Sequence, residues 1–458
     1  MAYKHIGRDF TPPDIFGKVT GQAKYAEDYR ADGMVFMKTW DSPLPHARVT
    51  NIDASAALAM DGVIAVLTPE EVPEVEDAAE VMLSAEPSYV GEPIVAVAAE
   101  TEQIAADALA KIRVNLEPMP FVMDPLDSLR PDGPNAREGG NAANRGVPLQ
   151  THKWTDGDFQ SGDDGLPTSG SALIDWSFGD VDAGFEKANI VLDETFVTAS
   201  NPHHSMEPRS AMCYWENGKC FVHGSCQSQS FALPSIARML GIEPSDVVFI
   251  AEYCGGGFGS KGGPYAIMLL PAVMSKKIGR PVMHRVSREQ EFYWGSARAG
   301  FQGRIKMGFG DDGRITAVDL YIVQQNGPKT GFPDYASAAD AVTLVYQPES
   351  MRFRGIPVLT NTTPAGAQRG PGQNQMAMVI EPLLDKAAKA LEVDRIDMRR
   401  VTAPTMDGTY SDEQGPLTSA YRREAYELGA RECDWQAKRA RSGERNGSKV
   451  IGVGVGQA

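Results

Sequence analysis

The sequence predicts an α+β fold built as two domains. Three observations carry that reading. Short β-branched runs accompany helical stripes in both halves, Asn-Gly and Asp-Gly turns sit between apolar runs, and a Gly/Asn/Asp/Pro/Ser-rich stretch over 131–170 divides the chain. In the first half, Val63–Leu67 and Pro93–Ala98 have strand length and turn residues at both ends. Thr101–Leu109 places Ile104, Ala105, Ala108 and Leu109 on one helical stripe, and an extended run follows near Arg113–Leu116. In the second half, Ser210–Trp215 and Lys219–Gly224 flank Glu216-Asn217-Gly218, a strong hairpin signal. Arg304–Phe309 and Ile315–Val323 flank Asp311-Asp312-Gly313 in the same way. Phe231–Leu240 reads as a helix stopped by Gly241. Gln375–Leu391 reads as another, with Val379, Leu383, Leu384, Ala387 and Leu391 at helical spacing, although Pro382 inside it is unfavourable to a helix.

Composition narrows the function classes. Against 44 Lys and Arg stand 60 Asp and Glu, a net charge of −16, which disfavours nucleic acid and anionic lipid because both are bound through accumulated positive charge. Apolar runs such as Ala266–Leu270 fall far short of the roughly 20 residues a bilayer requires, so no membrane span is expected. The cysteines (Cys213, Cys220, Cys226, Cys254, Cys433) show neither C-x-x-C nor another metal-ligand spacing. The first ten residues carry no apolar core of a signal peptide, which makes the cytoplasm the default, or the periplasm where a partner chain carries the export signal. Glycine is in excess, at 46 residues, and the chemistry concentrates where it clusters.

The densest cluster is Cys254-Gly255-Gly256-Gly257-Phe258-Gly259-Ser260-Lys261-Gly262-Gly263, set between an apolar strand, Val247–Ala251, and a helix-like run. Such a loop lets backbone N–H groups approach an anion. A Walker loop is excluded because Lys261 is followed by Gly262 instead of Ser or Thr. Gly257-x-Gly259-x-x-Gly262 fits a dinucleotide loop, yet no acidic residue to hold a ribose occurs between Gly263 and Arg288. A purely structural glycine turn stays open on this local pattern.

A second glycine loop surrounds Arg369 in Pro364-Ala365-Gly366-Ala367-Gln368-Arg369-Gly370-Pro371-Gly372-Gln373. Its planar fork suits a phosphate or oxyanion, and two such loops in one chain point to a shared ligand. His203 and His204 invite a metal, but neighbours on an extended chain face opposite ways, which favours a structural role. No Gly-x-Ser-x-Gly elbow is present and Cys226 has no evident paired base.

Together these residues resemble the molybdenum-binding large subunit of the xanthine dehydrogenase, aldehyde oxidoreductase and carbon monoxide dehydrogenase family. The front matches are Gly17-Lys18-Val19-Thr20-Gly21-Gln22-Ala23-Lys24-Tyr25-Ala26-Glu27-Asp28, Ser42-Pro43-Leu44-Pro45-His46-Ala47-Arg48-Val49 and Val90-Gly91-Glu92-Pro93-Ile94-Val95-Ala96-Val97. They are similar to the family's α/β-hammerhead domain. Gly179-Asp180-Val181-Asp182-Ala183-Gly184-Phe185 and Met206-Glu207-Pro208-Arg209 are similar to the entry of its first molybdopterin-binding domain.

The resemblance implies a hammerhead domain over 1–130, a linker over 131–170 and the first molybdopterin-binding domain over 171–410. Over 411–458 it implies a connector and the opening strand of a second molybdopterin domain that is otherwise absent. It implies that Gln227 stands beside the molybdenum, that Gly257, Phe258 and Gly259 lie against the metal and pterin, and that Gly370 and Arg399 touch the cofactor. Arg369 is the expected catalytic, substrate-facing residue. No protein side chain is expected to ligate the metal, which the pterin dithiolene holds.

The implied cofactor is molybdopterin with molybdenum, in plain or cytosine dinucleotide form. The implied activity is oxidation of an aldehyde or N-heterocycle with water. Electrons would pass to a small iron–sulfur subunit and an FAD subunit. Gly262 stands where purine-oxidising members have a glutamate, and Gln368 precedes Arg369 where a carbon monoxide dehydrogenase has a copper-binding cysteine nearby. The family's general-base glutamate belongs to the second molybdopterin domain, so a further chain is the expected source. A non-catalytic cofactor-binding or assembly component, or a truncated inactive fragment, is the alternative.

Overall fold

The computed structural model describes residues 4–73, 81–160, 166, 170–263 and 265–457. Within the expected 131–170 linker, residues 161–165 and 167–169 lie outside the described residues, as do the first three residues and Ala458. The chain forms two compact units: Met1–Pro87 with Gly91–Pro118 and His203–Gly295, and Ser88–Val90 with Met119–Pro202 and Ser296–Ala458.

Unit 1 is organised by a seven-stranded sheet. In spatial order its strands are Val247–Ile250, Lys219–Gly224, Ala211–Glu216, Val282–His284, Val35–Asp41, Pro93–Ala99 and Val63–Leu67. The sheet takes strands from both expected domains, because Val35 pairs in parallel with Val282 and Met37 with His284. Compactness thus cuts across the chain segments that the motifs suggested. The hairpin between Ala211–Glu216 and Lys219–Gly224 turns at Asn217 (φ 49°) and Gly218 (φ 78°), the left-handed pair that a two-residue turn demands. The helix Gln229–Leu240 begins at Ser228, whose hydroxyl accepts from the Phe231 N–H, and stops at left-handed Gly241, φ 64°. It packs with helix Leu270–Ile278 on a core that includes Val222, Ile236, Leu269, Leu270 and Val282.

Unit 2 has its own sheet in the order Val147–Gln150, Ala142–Asn144, Met351–Val358, Ile315–Gln325, Gly300–Phe309 and Ile190–Thr198, with Ile174–Phe178 also paired to Met351–Val358. Alternating residues Ile305, Met307, Leu320, Ile322 and Phe353 bury one face against helices Asp334–Tyr346 and Gln373–Ala390. The second helix runs unbroken through Pro382, in agreement with the helix read over Gln375–Leu391. Proline denies the Met378 carbonyl its intrahelical N–H, but Met378 is 68% exposed, so water can take that bond.

The 131–170 stretch is more than a linker. Residues 142–144 and 147–150 form a hairpin of the second sheet, and Trp154 is buried edge-on to Tyr321 at 5.8 Å, with its indole N–H on the Ser171 carbonyl at 2.9 Å. Its small residues serve close packing: a Cβ on Gly140 would stand 2.5 Å from the Gln150 carbonyl oxygen. Among the described residues no helix is long and apolar enough to cross a membrane.

Candidate functional site

In unit 1, the glycine loop leaves strand Val247–Ile250 in a sequence of left-handed turns at Gly256 (φ 104°), Phe258 (φ 52°) and Gly259 (φ 113°). Gln227 holds its far side. The Gln227 N–H donates to the Lys261 carbonyl at 2.8 Å. Its side-chain Oε1 accepts from the N–H of Gly259 at 2.9 Å and of Lys261 at 3.3 Å. Two backbone donors fix which end of the amide is oxygen, so the Gln227 NH2 group faces away from the loop, on a residue that is itself exposed. A Cβ on Gly257 would come within 2.4 Å of Gln227 Oε1, so this contact requires glycine. Gln227, Gly257, Phe258 and Gly259 are therefore brought together, with Phe258 40% exposed.

Beneath the loop lies a charged anchor whose role the sequence did not reveal. Lys261 is fully buried; its ammonium donates to the Glu207 carbonyl at 2.6 Å and to Ser225 Oγ at 3.0 Å, and Glu207 Oε2 lies 3.6 Å away. The same Oε2 accepts from Ser225 Oγ at 2.5 Å and from the Gly255 N–H at 2.6 Å, while Oε1 accepts from the Ala26 N–H at 3.0 Å. Arg209, two residues on, is buried and donates to the Ser260 carbonyl at 3.1 Å. Burial holds the Lys261 amine below its ordinary pKa, opposed by the nearby charges of Glu207 and Glu291. The alternating charges of Met206-Glu207-Pro208-Arg209 were the available signal, since Glu207 and Arg209 reach the same loop.

His203 is buried and His204 exposed, the latter with its ring 5.2 Å from that of Phe292, in keeping with opposite orientations. Cys226 is buried, with its thiol on the Lys261 carbonyl at 3.3 Å, and burial raises its pKa, which suits packing better than nucleophilic attack. Among the described residues no group of three or more His, Cys, Asp or Glu could hold a metal ion.

In unit 2, Arg369 is exposed at the tip of its loop and its carbonyl accepts from Arg298 Nη2 at 2.7 Å and from Asn374 Nδ2 at 3.0 Å. Gly370 adopts φ 70°, and its carbonyl accepts from Arg298 Nη1 at 2.9 Å. Arg298 also donates to Gln368 Oε1 and to Gln375 Oε1, each at 2.8–2.9 Å. Gln375 in turn donates to Asp334 Oδ2 at 3.1 Å. Desolvation pushes the Asp334 carboxyl up to about 6, with the Gln375 hydrogen bond and the Arg298 charge opposing it.

Arg399 lies on helix Arg395–Thr402. It is fully buried, donating from Nε to Glu381 Oε2 at 2.8 Å, from Nη2 to Asp385 Oδ1 at 2.9 Å and from Nη1 to the Arg395 carbonyl at 3.0 Å. A guanidinium in contact with two carboxylates ties helix Arg395–Thr402 to helix Gln373–Ala390.

The exposed Gln227 amide of unit 1 and the exposed Arg369 of unit 2 each carry donors, and each by itself suits an anion better than a bare cation. Comparison with known proteins gives the class. Residues 166–403 match the family described as "Molybdopterin cofactor-binding domain", and residues 20–120 match "Aldehyde oxidase and xanthine dehydrogenase, a/b hammerhead domain". The chain belongs to the family of molybdopterin-binding subunits of xanthine dehydrogenase and aldehyde oxidoreductase type, an oxidoreductase family.

Among particular relatives, it is 30% identical to a probable xanthine dehydrogenase subunit of Bacillus subtilis, over 85% of this chain and 49% of that one. It is 29% identical to "Nicotinate dehydrogenase large molybdopterin subunit" of Eubacterium barkeri, over 88% of this chain and 90% of that one. Aldehyde oxidoreductase from Desulfovibrio gigas shares the fold, with a TM-score of 0.79 at 23% identity, over 95% of this chain and 47% of that one. The chain thus spans about half of the first relative and of the solved structure, and nearly all of the second relative.

Proposed function

We propose that the chain forms part of the catalytic subunit of a molybdenum hydroxylase that oxidises an aldehyde or an N-heterocycle. When bound, the molybdenum–pterin cofactor supplies two-electron oxidation with oxygen taken from water. The chain's own residues bind and orient. Gln227 offers its amide NH2 to the metal side of the cofactor, Gly257, Phe258 and Gly259 give the backbone surface against which it lies, and Gly370 contributes the turn beside it. Arg369 presents a cation to the substrate and to the charge that develops on it. Arg399 keeps a structural role in this reading, since a cofactor contact would have to open its bonds to Glu381 and Asp385.

The observation that carries the proposal is the exposed Gln227 amide, whose oxygen is held by two backbone donors and lies where a Cβ on Gly257 would displace it. A small iron–sulfur subunit and an FAD subunit receive the electrons, and the cofactor is molybdopterin, plain or as the cytosine dinucleotide. The general base belongs to the family's second molybdopterin domain, in the same polypeptide or in a further chain. The assembly is cytoplasmic, or periplasmic where a partner carries an export signal.

Metal and pterin analysis of the native complex tests the proposal: molybdenum with a pterin nucleotide is expected, with iron confined to a co-purifying small subunit. Zinc or NAD without molybdenum would overturn it. In the loaded complex, Arg369→Ala is expected to lower turnover by about 100-fold or more, on the scale of losing an electrostatic stabiliser, whereas wild-type turnover refutes the role of Arg369.

A further inference from the structure

Arg298 is a buried side chain that the proposed chemistry does not use. Its guanidinium bonds Gln368 Oε1, the Arg369 carbonyl, the Gly370 carbonyl and Gln375 Oε1, at 2.7–2.9 Å. None of these four partners is a carboxylate. The nearest counter-charge in the chain of bonds is Asp334, reached through the Gln375 amide, whose NH2 also donates to the Ala299 carbonyl at 3.2 Å. The far end of the loop is equally constrained, since a Cβ on Gly372 would stand 2.0 Å from the Asp334 carbonyl oxygen. A buried cation is costly unless its donors are used, and here three of its four acceptors belong to the residues 368–370 that form the tip of the arginine loop.

We propose that Arg298 is the positioning residue for Arg369: by gathering the Gln368, Arg369 and Gly370 oxygens onto one planar fork, it fixes the base from which the Arg369 side chain leaves the turn, with Gln375 and Asp334 balancing its charge. The functional part of this inference rests on the reading of Arg369 as substrate-facing; the anchoring of the loop does not. Lysine cannot replace the fork, because an ammonium is a point charge that cannot meet separated acceptors in one plane.

The anchoring has a readout that needs no cofactor. Arg369 is an exposed tryptic site whose scissile carbonyl is held by Arg298 and Asn374. Cleavage of a native chain tracks the population of locally opened loop, so trypsin reports directly on that hold. In the full chain, Arg298→Lys is expected to speed cleavage at the Arg369–Gly370 bond about tenfold relative to the other tryptic sites, as the loss of one or two buried hydrogen bonds implies. Gln368→Leu removes one acceptor and keeps the arginine; it is expected to give a smaller rise at the same bond and serves if Arg298→Lys fails to fold.

Unchanged relative cleavage in the folded variants overturns the inference. In the molybdenum-loaded complex, Arg298→Lys is expected to raise KM and lower kcat together while the molybdenum content stays at the wild-type level. If Arg369→Ala proves to have wild-type turnover while Arg298→Lys still loosens the loop, the functional reading of Arg369 falls and the anchoring stands. If Arg369→Ala is inactive and Arg298→Lys leaves both cleavage and kinetics unchanged, the positioning role falls alone.

Discussion

Beneath the glycine loop of unit 1, the Lys261 ammonium lies 3.6 Å from a Glu207 carboxylate oxygen, so opposite charges meet under the loop. Beneath the arginine loop of unit 2, Arg298 meets neutral oxygens, and its carboxylate, Asp334, stands one amide further away. The first arrangement ties a loop down by neutralising a buried pair in place. The second spreads one charge over several weak acceptors, which fixes a shape as much as it supplies stability. The two supports should therefore respond differently when a partner is removed.

The largest effect is expected from Glu207→Gln, which leaves the Lys261 ammonium buried beside a neutral amide. Breaking a buried pair from one side costs about 3–5 kcal/mol, so the chemical-unfolding midpoint should fall steeply, and adding Lys261→Met should restore part of the loss. A shift no larger than that of a surface substitution would show that Ser225 and the backbone suffice to hold the loop.

An intermediate effect is expected from Asp334. An unfolded aspartate titrates near 3.8 and this one near 6, so between those values the folded chain keeps a proton that the unfolded chain has released. The contribution of this group to stability is therefore greatest below about pH 4 and declines as pH rises to about 6, by roughly 1–3 kcal/mol. Asp334→Asn should remove that decline from the pH profile of unfolding. A profile identical to the wild type between pH 4 and 6 would place the Asp334 titration outside that window.

The smallest effect, and the one that separates stability from function, concerns Phe258. A phenylalanine at φ 52° pays a left-handed penalty that glycine avoids, so Phe258→Gly should leave stability unchanged or raise it by about 1 kcal/mol. Molybdenum occupancy of the native complex should nonetheless drop. Full occupancy would mean that the aromatic ring has no part in holding the cofactor.

Local signals were legible in the sequence and distant pairings were not. Asn217-Gly218 specified its hairpin because both residues accept positive φ, and Gly241 marked its helix end for the same reason. The family motifs located Gln227 and the glycine loop. The sequence did not show that Glu207 reaches Gly255, that Arg298 reaches Gly370, or that Val35–Asp41 pairs with Val282–His284, because each depends on chain segments brought together only by folding. Pro382 does not interrupt the helix read over Gln375–Leu391, because the carbonyl it orphans belongs to exposed Met378. A matching sequence position likewise does not say that the fold will place Glu381 and Asp385 beside Arg399.

The parallel pairing of Val35–Asp41 with Val282–His284 also bears on how the chain is made. During synthesis, the early strands Val35–Asp41, Pro93–Ala99 and Val63–Leu67 emerge long before their neighbour, with one edge of Val35–Asp41 lacking its partner. At a ribosomal rate of roughly 5–20 residues per second, the intervening stretch of about 250 residues takes on the order of 10–50 s to appear. Throughout that interval an open strand edge is available to other nascent chains, so edge-to-edge pairing competes with folding until the residues around Val282 arrive.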